Sequence, residues 1–402
     1  MFSFTVSTEE QEDSEVVLEE LVSGFESRKG EIGDLGKCVG ILFVDANLEY
    51  GEFIGELERR LGFLVLGNTA VSLVGDQASD TVSAILTVMC DAEFGAAATG
   101  PLDIGNTEAE VGNVCKRALT ALNGDPKAIF VFCPIYADVM MDDIVDSMEA
   151  VAGKIPVFGG VASDNQLDRP ISMFYGGEEV PQSTIVLALG GDIDPVFEVA
   201  NTPTMYSEKK GVITESGCGF IQKVGDQTFK EFMEYCGLRT DKEYQTGQIM
   251  TTYATNPVKF LIKEQESDGV PVIHNIFDLN RDTGSIFLAA RIPEGSEVSL
   301  CLLKKDNIKS STQAAMEGLV EQMKERKAKG STYSMLFAIS CGGRYFVLTG
   351  ANSIEREILN DFREDGLSIA GFYASGEIGP TSVRSEGAMN RTHHSSLVLC
   401  AF

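Results

Sequence analysis

The 402-residue sequence contains no tryptophan and only three histidines, His274, His393 and His394. The first absence, with aromatics at 8% overall, removes the usual stacking platform for single-stranded nucleic acid. The second narrows catalysis, because a Ser-His-Asp site, a histidine-ligated zinc or a histidine base has only these three imidazoles to draw on. No His-Glu-x-x-His, Gly-x-Ser-x-Gly or Gly-x-x-x-x-Gly-Lys-Ser/Thr motif occurs. Despite 41 glycines, no Gly-x-Gly-x-x-Gly follows a strand, and the Gly190-Gly191-Asp192 turn is followed by no helical pattern that would seat a phosphate. These absences favour a binding protein over an enzyme.

Basic residues are also few. Lys and Arg number 32 against 60 Asp and Glu, for a formal net charge of -28. Such a surface repels phosphate backbones and anionic lipid, which argues against nucleic-acid or membrane-surface partners. The longest apolar runs, such as 183–190, are too short to span a bilayer, so no membrane insertion is expected. The N-terminus carries Glu9, Glu10, Glu12, Asp13 and Glu15 in place of the basic-then-apolar order of a secretory signal. Nine cysteines include no Cys-x-x-Cys pair, and Cys38, Cys90, Cys133, Cys301 and Cys400 sit in apolar runs. That pattern predicts free, buried thiols and a cytoplasmic, reducing setting.

What is present is an α/β pattern. Residues 1–36 read as an acidic leader, helical where Val16, Val17, Leu18, Leu21, Val22 and Phe25 form a stripe. A strand at 38–44 leads to a helix at 47–61 that Gly62 closes, and then to a short strand at 63–66. From residue 82 one order of elements occurs twice. The first pass has strands at 82–90 and 128–133, helices at 107–122 and 139–152, a strand at 155–158, the turn GGVASDN, and a strand at 184–190. The second has strands at 284–291 and 297–303, a helix at 310–329, a strand at 335–341, a helix at 353–364, a strand at 367–370, the segment GFYASGE, and a last strand at 395–401. Cys133 is followed 26 residues later by Gly159 of a Gly-x-x-Ala-Ser element, and Cys341 is followed 30 residues later by Gly371 of another. The expected fold is therefore mixed α+β, in two related halves with an internal duplication, each half a mixed sheet with βαβ crossovers and helical cover. Between the passes, 193–223 reads as a β-hairpin region, 226–236 as a short helix, and 238–271 as a polar linker or insertion. The domains divide at 1–224 and 225–402.

Three polar clusters suggest a ligand site. Cys341-Gly342-Gly343-Arg344 falls where a strand ends, the place at which α/β sheets gather ligands, and an arginine there grips a carboxylate with two parallel bonds. The run from Gly371 to Pro380 adds an apolar wall in Phe372 and Tyr373, a hydroxyl in Ser375, and a carboxylate in Glu377 that suits an ammonium. Asn390 and Thr392 stand just before the last strand and offer hydrogen bonds. Adjacent His393 and His394 on a strand point to opposite faces, which predicts one exposed and one half-buried imidazole, and His274 reads as structural.

At these clusters the sequence resembles the FIST family. The resemblance runs from about 38 to 402, through PVFGGVASDN at 156–165, Cys341-x-x-Arg344, GFYASGEIGP at 371–380 and Asn390-x-Thr392. The chain departs from the family pattern in carrying Gly67-Asn68-Thr69-Ala70-Val71-Ser72 without the cysteine and glutamate common there, and in having His274 where an arginine is expected. The resemblance implies a FIST N domain followed by a FIST C domain, and a small-molecule ligand such as an amino acid or related metabolite. It also implies that the signal passes to a separate signalling partner. Cys341, Arg344, Phe372, Tyr373, Ser375, Glu377, Asn390, Thr392 and Asp164 are the expected ligand-binding residues, and no cofactor is expected. Two alternatives stay open: a haem-based gas sensor with His274, His393 or Cys341 as axial ligand, and an enzyme whose nucleophile is Cys341 or Cys133.

Overall fold

Runs of valine, isoleucine, leucine and phenylalanine, each closed by a glycine or a small polar residue, become strands that are buried on both faces. The computed structural model describes residues 1–48, 52–77, 79, 81–134, 139–163, 171–238, 240, 258–264, 270–348, 353–381 and 389–402. Its strands fall into four sheets. The first has the order β1 (Phe2–Thr8), β5 (Ala84–Cys90), β2 (Cys38–Asp45), β3 (Val65–Ala70), β9 (Met173–Tyr175) and β10 (Glu178–Glu179). The second runs β24 (Asn390–His393), β23 (Glu377–Pro380), β8 (Val157–Val161), β7 (Pro126–Cys133), β11 (Ile185–Gly190) and β6 (Glu93–Ala98). The third runs β12 (Val196–Ala200), β25 (Leu397–Ala401), β21 (Met335–Cys341), β22 (Ser368–Ala374) and β4 (Leu73–Gly75). The fourth runs β17 (Val272–His274), β16 (Val258–Lys263), β20 (Glu297–Leu302), β13 (Thr204–Gly217), β14 (Phe220–Val224), β19 (Ile286–Phe287) and β18 (Asp278–Leu279), with β15 (Gln227–Thr228) pairing β14. The helices are α1 (Ser14–Arg28), α2 (Phe53–Leu61), α3 (Thr107–Ala121), α4 (Met141–Ala152), α5 (Phe229–Tyr235), α6 (Lys305–Lys327), α7 (Gly342–Val347) and α8 (Ser353–Asp361).

The first three sheets share one central core. Phe43 lies 5.0 Å from Phe372, Phe130 lies 4.9 Å from Phe337 and 4.3 Å from Phe158, and Phe158 lies 5.6 Å from Phe402. Aromatic rings from all three sheets thus interlock, each contact adding about 0.5–1.5 kcal/mol beyond its buried area. The outer faces are covered separately, by α1 and α2 over the first sheet, α3 and α4 over the second, and α6 and α8 over the third. The fourth sheet encloses its own core with α5, around Phe229, Phe232 and Phe260.

The chain is a mixed α/β protein, and one pattern of strand pairing occurs three times in it. Each of the three body sheets has one parallel pair joined through helix, β2–β3, β7–β8 and β21–β22, with an antiparallel strand beside its first member. Gly67, Gly159 and Gly371 occupy one equivalent register, opposite Leu42, Val131 and Ala338. A Cβ at any of them would lie 1.8–1.9 Å from the carbonyl oxygen of that partner, so only glycine allows the strands to approach. The Gly-x-x-Ala element is present a third time, at Gly67 to Ala70. Gly159 and Gly371 lie within strands, which corrects their reading as part of a turn and of a connecting segment.

The units also exchange strands in a ring. β4, which follows β3, pairs with β22; β9, which follows β8, pairs with β3; and β23, which follows β22, pairs with β8. At the carboxyl ends the ring is tied by Ser163 N–H to Thr69 O at 3.3 Å and Ser375 N–H to Val161 O at 3.0 Å. The third link passes through a side chain: Val71 N–H donates to Ser163 Oγ at 2.9 Å, and that hydroxyl donates to Tyr373 O.

Four further expectations change. Residues 1–36 contain an edge strand, β1, paired with β5 along its whole length, besides the helix. The stretch 238–271 contains β16, an interior strand flanked by β17 and β20. The strand expected at 284–291 is reduced to the two residues of β19. Cys38 and Cys90, directly opposite on β2 and β5, form a disulfide, so the reading of free thiols holds for Cys115, Cys133, Cys218, Cys236, Cys301, Cys341 and Cys400 and fails for that pair.

Candidate functional site

The turn 394–396 joins β24 to β25 and so passes from the second sheet to the third. Ser395 adopts φ 60°, a left-handed conformation that costs a residue with a Cβ about 1–3 kcal/mol and persists only where its surroundings enforce it. The enforcing contacts come from four elements. Ser395 Oγ donates to Asn275 Oδ1 at 2.7 Å, just beyond β17, and Arg344 on α7 donates to Ser395 O at 3.4 Å. Ser396 N–H donates to Glu377 Oε2 at 3.1 Å, and Cys341 N–H donates to Ser396 O at 2.9 Å. His394 N–H reaches Ile273 O at 3.2 Å, and the Nδ1 atoms of His394 and His274 stand 3.3 Å apart. Three of the four sheets therefore meet at this turn, beyond the carboxyl ends of β21 and β22.

The cluster is closed from solvent. Cys341, Glu377, His394, Ser395 and Ser396 are buried, as are His274, Asn275 and Lys259 of the fourth sheet. Both histidines of the 393–394 pair are fully buried, which corrects the expectation of one exposed and one half-buried ring. Burial sets the protonation states. It raises the Glu377 carboxyl well above the ordinary carboxylate range and, with Glu377 close by, raises the Cys341 thiol. It lowers His394 to about 4, lowers His274 well below the ordinary imidazole value, and lowers Lys259 to about 8. The Cys341 thiol lies against the Glu377 carboxyl. Glu377 Oε1 and His394 Nε2 are buried atoms with no hydrogen-bond partner among the described residues. Such atoms are rare in folded proteins, and each calls for an explanation.

The other expected site residues are placed differently. Arg344 is fully buried and forked onto Glu355, with Nε and Nη2 at 3.0 and 2.7 Å from Oε1, and it also reaches Thr312 Oγ1 at 2.8 Å. Ser340 Oγ occupies Glu355 Oε2 at 2.9 Å. Arg344 thus serves an internal ion pair under α8, not an open carboxylate grip. Phe372 faces the central core against Phe43, while Tyr373 faces the opposite side of the sheet, beneath the Arg356 guanidinium. Ser375 contributes its backbone to the ring of strand ends. Asn390 binds Glu149 Oε1, Ile155 O and Val157 N–H at 2.9, 3.1 and 2.7 Å, and Thr392 Oγ1 donates to Asp142 at 2.5 Å, so both secure α4. Asp164 lies outside the described residues. Of the expected set, Cys341 and Glu377 share the cluster, with Arg344 at its edge. His274, Asn275, Lys259, His394, Ser395 and Ser396 join them without having been expected. The polar run His393-His394-Ser395-Ser396 directly before an apolar strand was the available signal.

Neither alternative chemistry is favoured by this geometry. Nitrogens 3.3 Å apart leave no space for an iron between His274 and His394, and His393 holds Nε2 at 3.1 Å from Gly379 O, so these imidazoles do not fit a haem. Burial raises Cys133 to about 12, and Cys341 is raised as well, the reverse of what an activated thiol nucleophile needs.

The two domain matches define a small-molecule sensory module. The chain belongs to the FIST family: the FIST N domain matches residues 38–225, and the FIST C domain matches residues 231–380. FIST domains are small-molecule sensory modules used in signal transduction. No curated protein matches the chain. Two solved structures align along all of it. One is a cyanuric acid hydrolase from A. caulinodans, at 8% identity and TM-score 0.40, and the other is a second cyanuric acid hydrolase, at 10% identity and TM-score 0.35; 99% of each is covered. Among the described residues, no helix is long and apolar enough to cross a membrane, and no group of three or more His, Cys, Asp or Glu side chains is arranged to hold a metal ion.

Proposed function

We propose that this chain is a stand-alone cytoplasmic sensor that binds a small polar ligand at the 394–396 turn and passes the signal to a separate protein, without catalysing a reaction. The observation that carries the reading is the pair of buried, unpartnered atoms, Glu377 Oε1 and His394 Nε2, beside a strained turn. A ligand that satisfies both recovers free energy that the ligand-free state lacks. A route outward is built in. The fourth sheet meets the three-sheet body through His274 and Asn275 at this turn, and through Arg291, whose side chain reaches Asp143 and Asp146 on α4 and whose backbone reaches Asp142. A ligand that contacts the body and the fourth sheet together favours one relative placement of the two, which is the differential affinity a switch requires.

A thermal-shift screen of the purified chain against amino acids, amines, organic acids, amides and nucleotides tests this reading. A ligand at about 100 times its Kd adds roughly 2.7 kcal/mol to the native state, enough to move a melt. The stabilisation should be lost in His394→Phe and in Glu377→Ala. A hit that stabilises both variants as well as the parent chain places its site elsewhere.

A further inference from the structure

The charge balance around the turn specifies the kind of ligand, provided the turn is the binding site as proposed above. Glu377 on β23 faces His393 across the β23–β24 pair and receives Ser396 N–H on Oε2. From β21 it faces the Cys341 thiol. The guanidinium that acts on it, Arg344 on α7, is forked onto Glu355 of α8, so that cation is already matched by an anion. The fourth sheet brings His274 against His394, and Lys259 near Cys341 and His394. A carboxyl that is fully buried and not ion-paired keeps its proton. Because Oε2 accepts the Ser396 N–H, the proton belongs on Oε1, the oxygen without a partner.

The histidines obey a similar constraint. Two Nδ1 atoms at 3.3 Å share a single proton when both rings are neutral, so one ring donates and the other accepts. Whichever tautomer His394 takes, its Nε2 is left as a buried bare acceptor or a buried bare donor.

We propose that the site takes an uncharged ligand, with a carbonyl-type oxygen accepting from Glu377 Oε1 and a further polar atom completing His394 Nε2. A cationic ligand would require ionised Glu377, and an anionic one would have to rely on Lys259, whose charge burial disfavours, because Arg344 is already matched by Glu355. The burial-driven rise of the Glu377 carboxyl and the fall of both imidazoles agree with this charge state.

The protonated carboxyl is read directly, in the ligand-free chain, as a carbonyl stretching band in the infrared at about pH 7. The band should be present in the parent chain, should shift on carbon-13 labelling of glutamate, and should vanish in Glu377→Gln. The isotope shift separates it from any aspartic acid band and keeps the test valid if the variant does not fold. Absence of a glutamic acid band overturns the proposal, and does so independently of whether a natural ligand is found. The sequence has only three histidines, so nitrogen-15 histidine labelling gives a second readout with propanamide, propionate and propylammonium as matched probes. Propanamide should perturb His394 Nε2 at concentrations at least tenfold below those the charged probes need. Equal or tighter binding of propionate or propylammonium overturns the assignment. If none of the three perturbs His394, the site reading on which the proposal rests fails, whatever the infrared band shows.

Discussion

His274 and His394, 120 residues apart in the chain, meet nitrogen to nitrogen at 3.3 Å in the interior, and both are held neutral by burial. Their contact joins the fourth sheet to the turn between the second and third. It also gives the fold a pH dependence of definite sign. An imidazole with a folded-state pKa below its unfolded value of about 6.5 binds more protons when unfolded, so stability is fully present above about pH 6.5 and is lost as pH falls. For His394, lowered to about 4, the loss between those values amounts to about 3 kcal/mol. Urea denaturation at about pH 7 and pH 4.5 should show it, and His394→Gln should show a smaller difference between the two. An equal difference in that variant would place the acid sensitivity elsewhere.

Arg344→Ala should act on the fold before it acts on any ligand. Removing the guanidinium leaves Glu355 of α8 buried, with the Thr312 and Ser340 hydroxyls but no matching cation from Arg344 to meet its charge. Breaking a buried ion pair from one side costs about 3–5 kcal/mol, whereas replacing both members with apolar residues of similar size is often neutral. Arg344→Met with Glu355→Leu should therefore recover most of what either single change loses, as measured by chemical denaturation. Two single losses that simply add would show that the pair is not coupled.

The contrast between Arg344 and Glu377 shows where the sequence stopped being legible. The parallel strand pairs were readable because apolar runs, glycines and helical stripes are local signals. The strand β1 was not, because the acidic residues just after it dominate the composition of that stretch. β16 was obscured by the polar residues on either side of it. Arg344 stands at a strand end, where ligands gather, and nothing local reveals that a helix eleven positions later returns Glu355 to it. The histidine contact is more distant still and exists only because the fourth sheet docks on the body. Glu377 was legible as a carboxylate near the site, but its charge state was not. That state depends on which cations the fold has already paired, and this is a property of the packing.

The threefold arrangement of parallel pairs makes a quantitative claim about three glycines. Gly67, Gly159 and Gly371 each face a carbonyl oxygen that a methyl group would meet at 1.8–1.9 Å, inside any van der Waals contact, and backbone on both sides leaves no flexible side chain to give way. Alanine at each should cost about 3 kcal/mol or more, the upper range of overpacking, and the three losses should be alike because the three registers are. Gly30, with no atom within 4 Å of its added Cβ, serves as the control and should change stability by less than about 0.5 kcal/mol. Chemical denaturation of the four variants checks both parts. If Gly67→Ala were tolerated while Gly159→Ala and Gly371→Ala were not, the first unit would not share the close strand approach of the other two. The pairing would then be equivalent in only two places, the number that the Gly-x-x-Ala-Ser elements alone suggest.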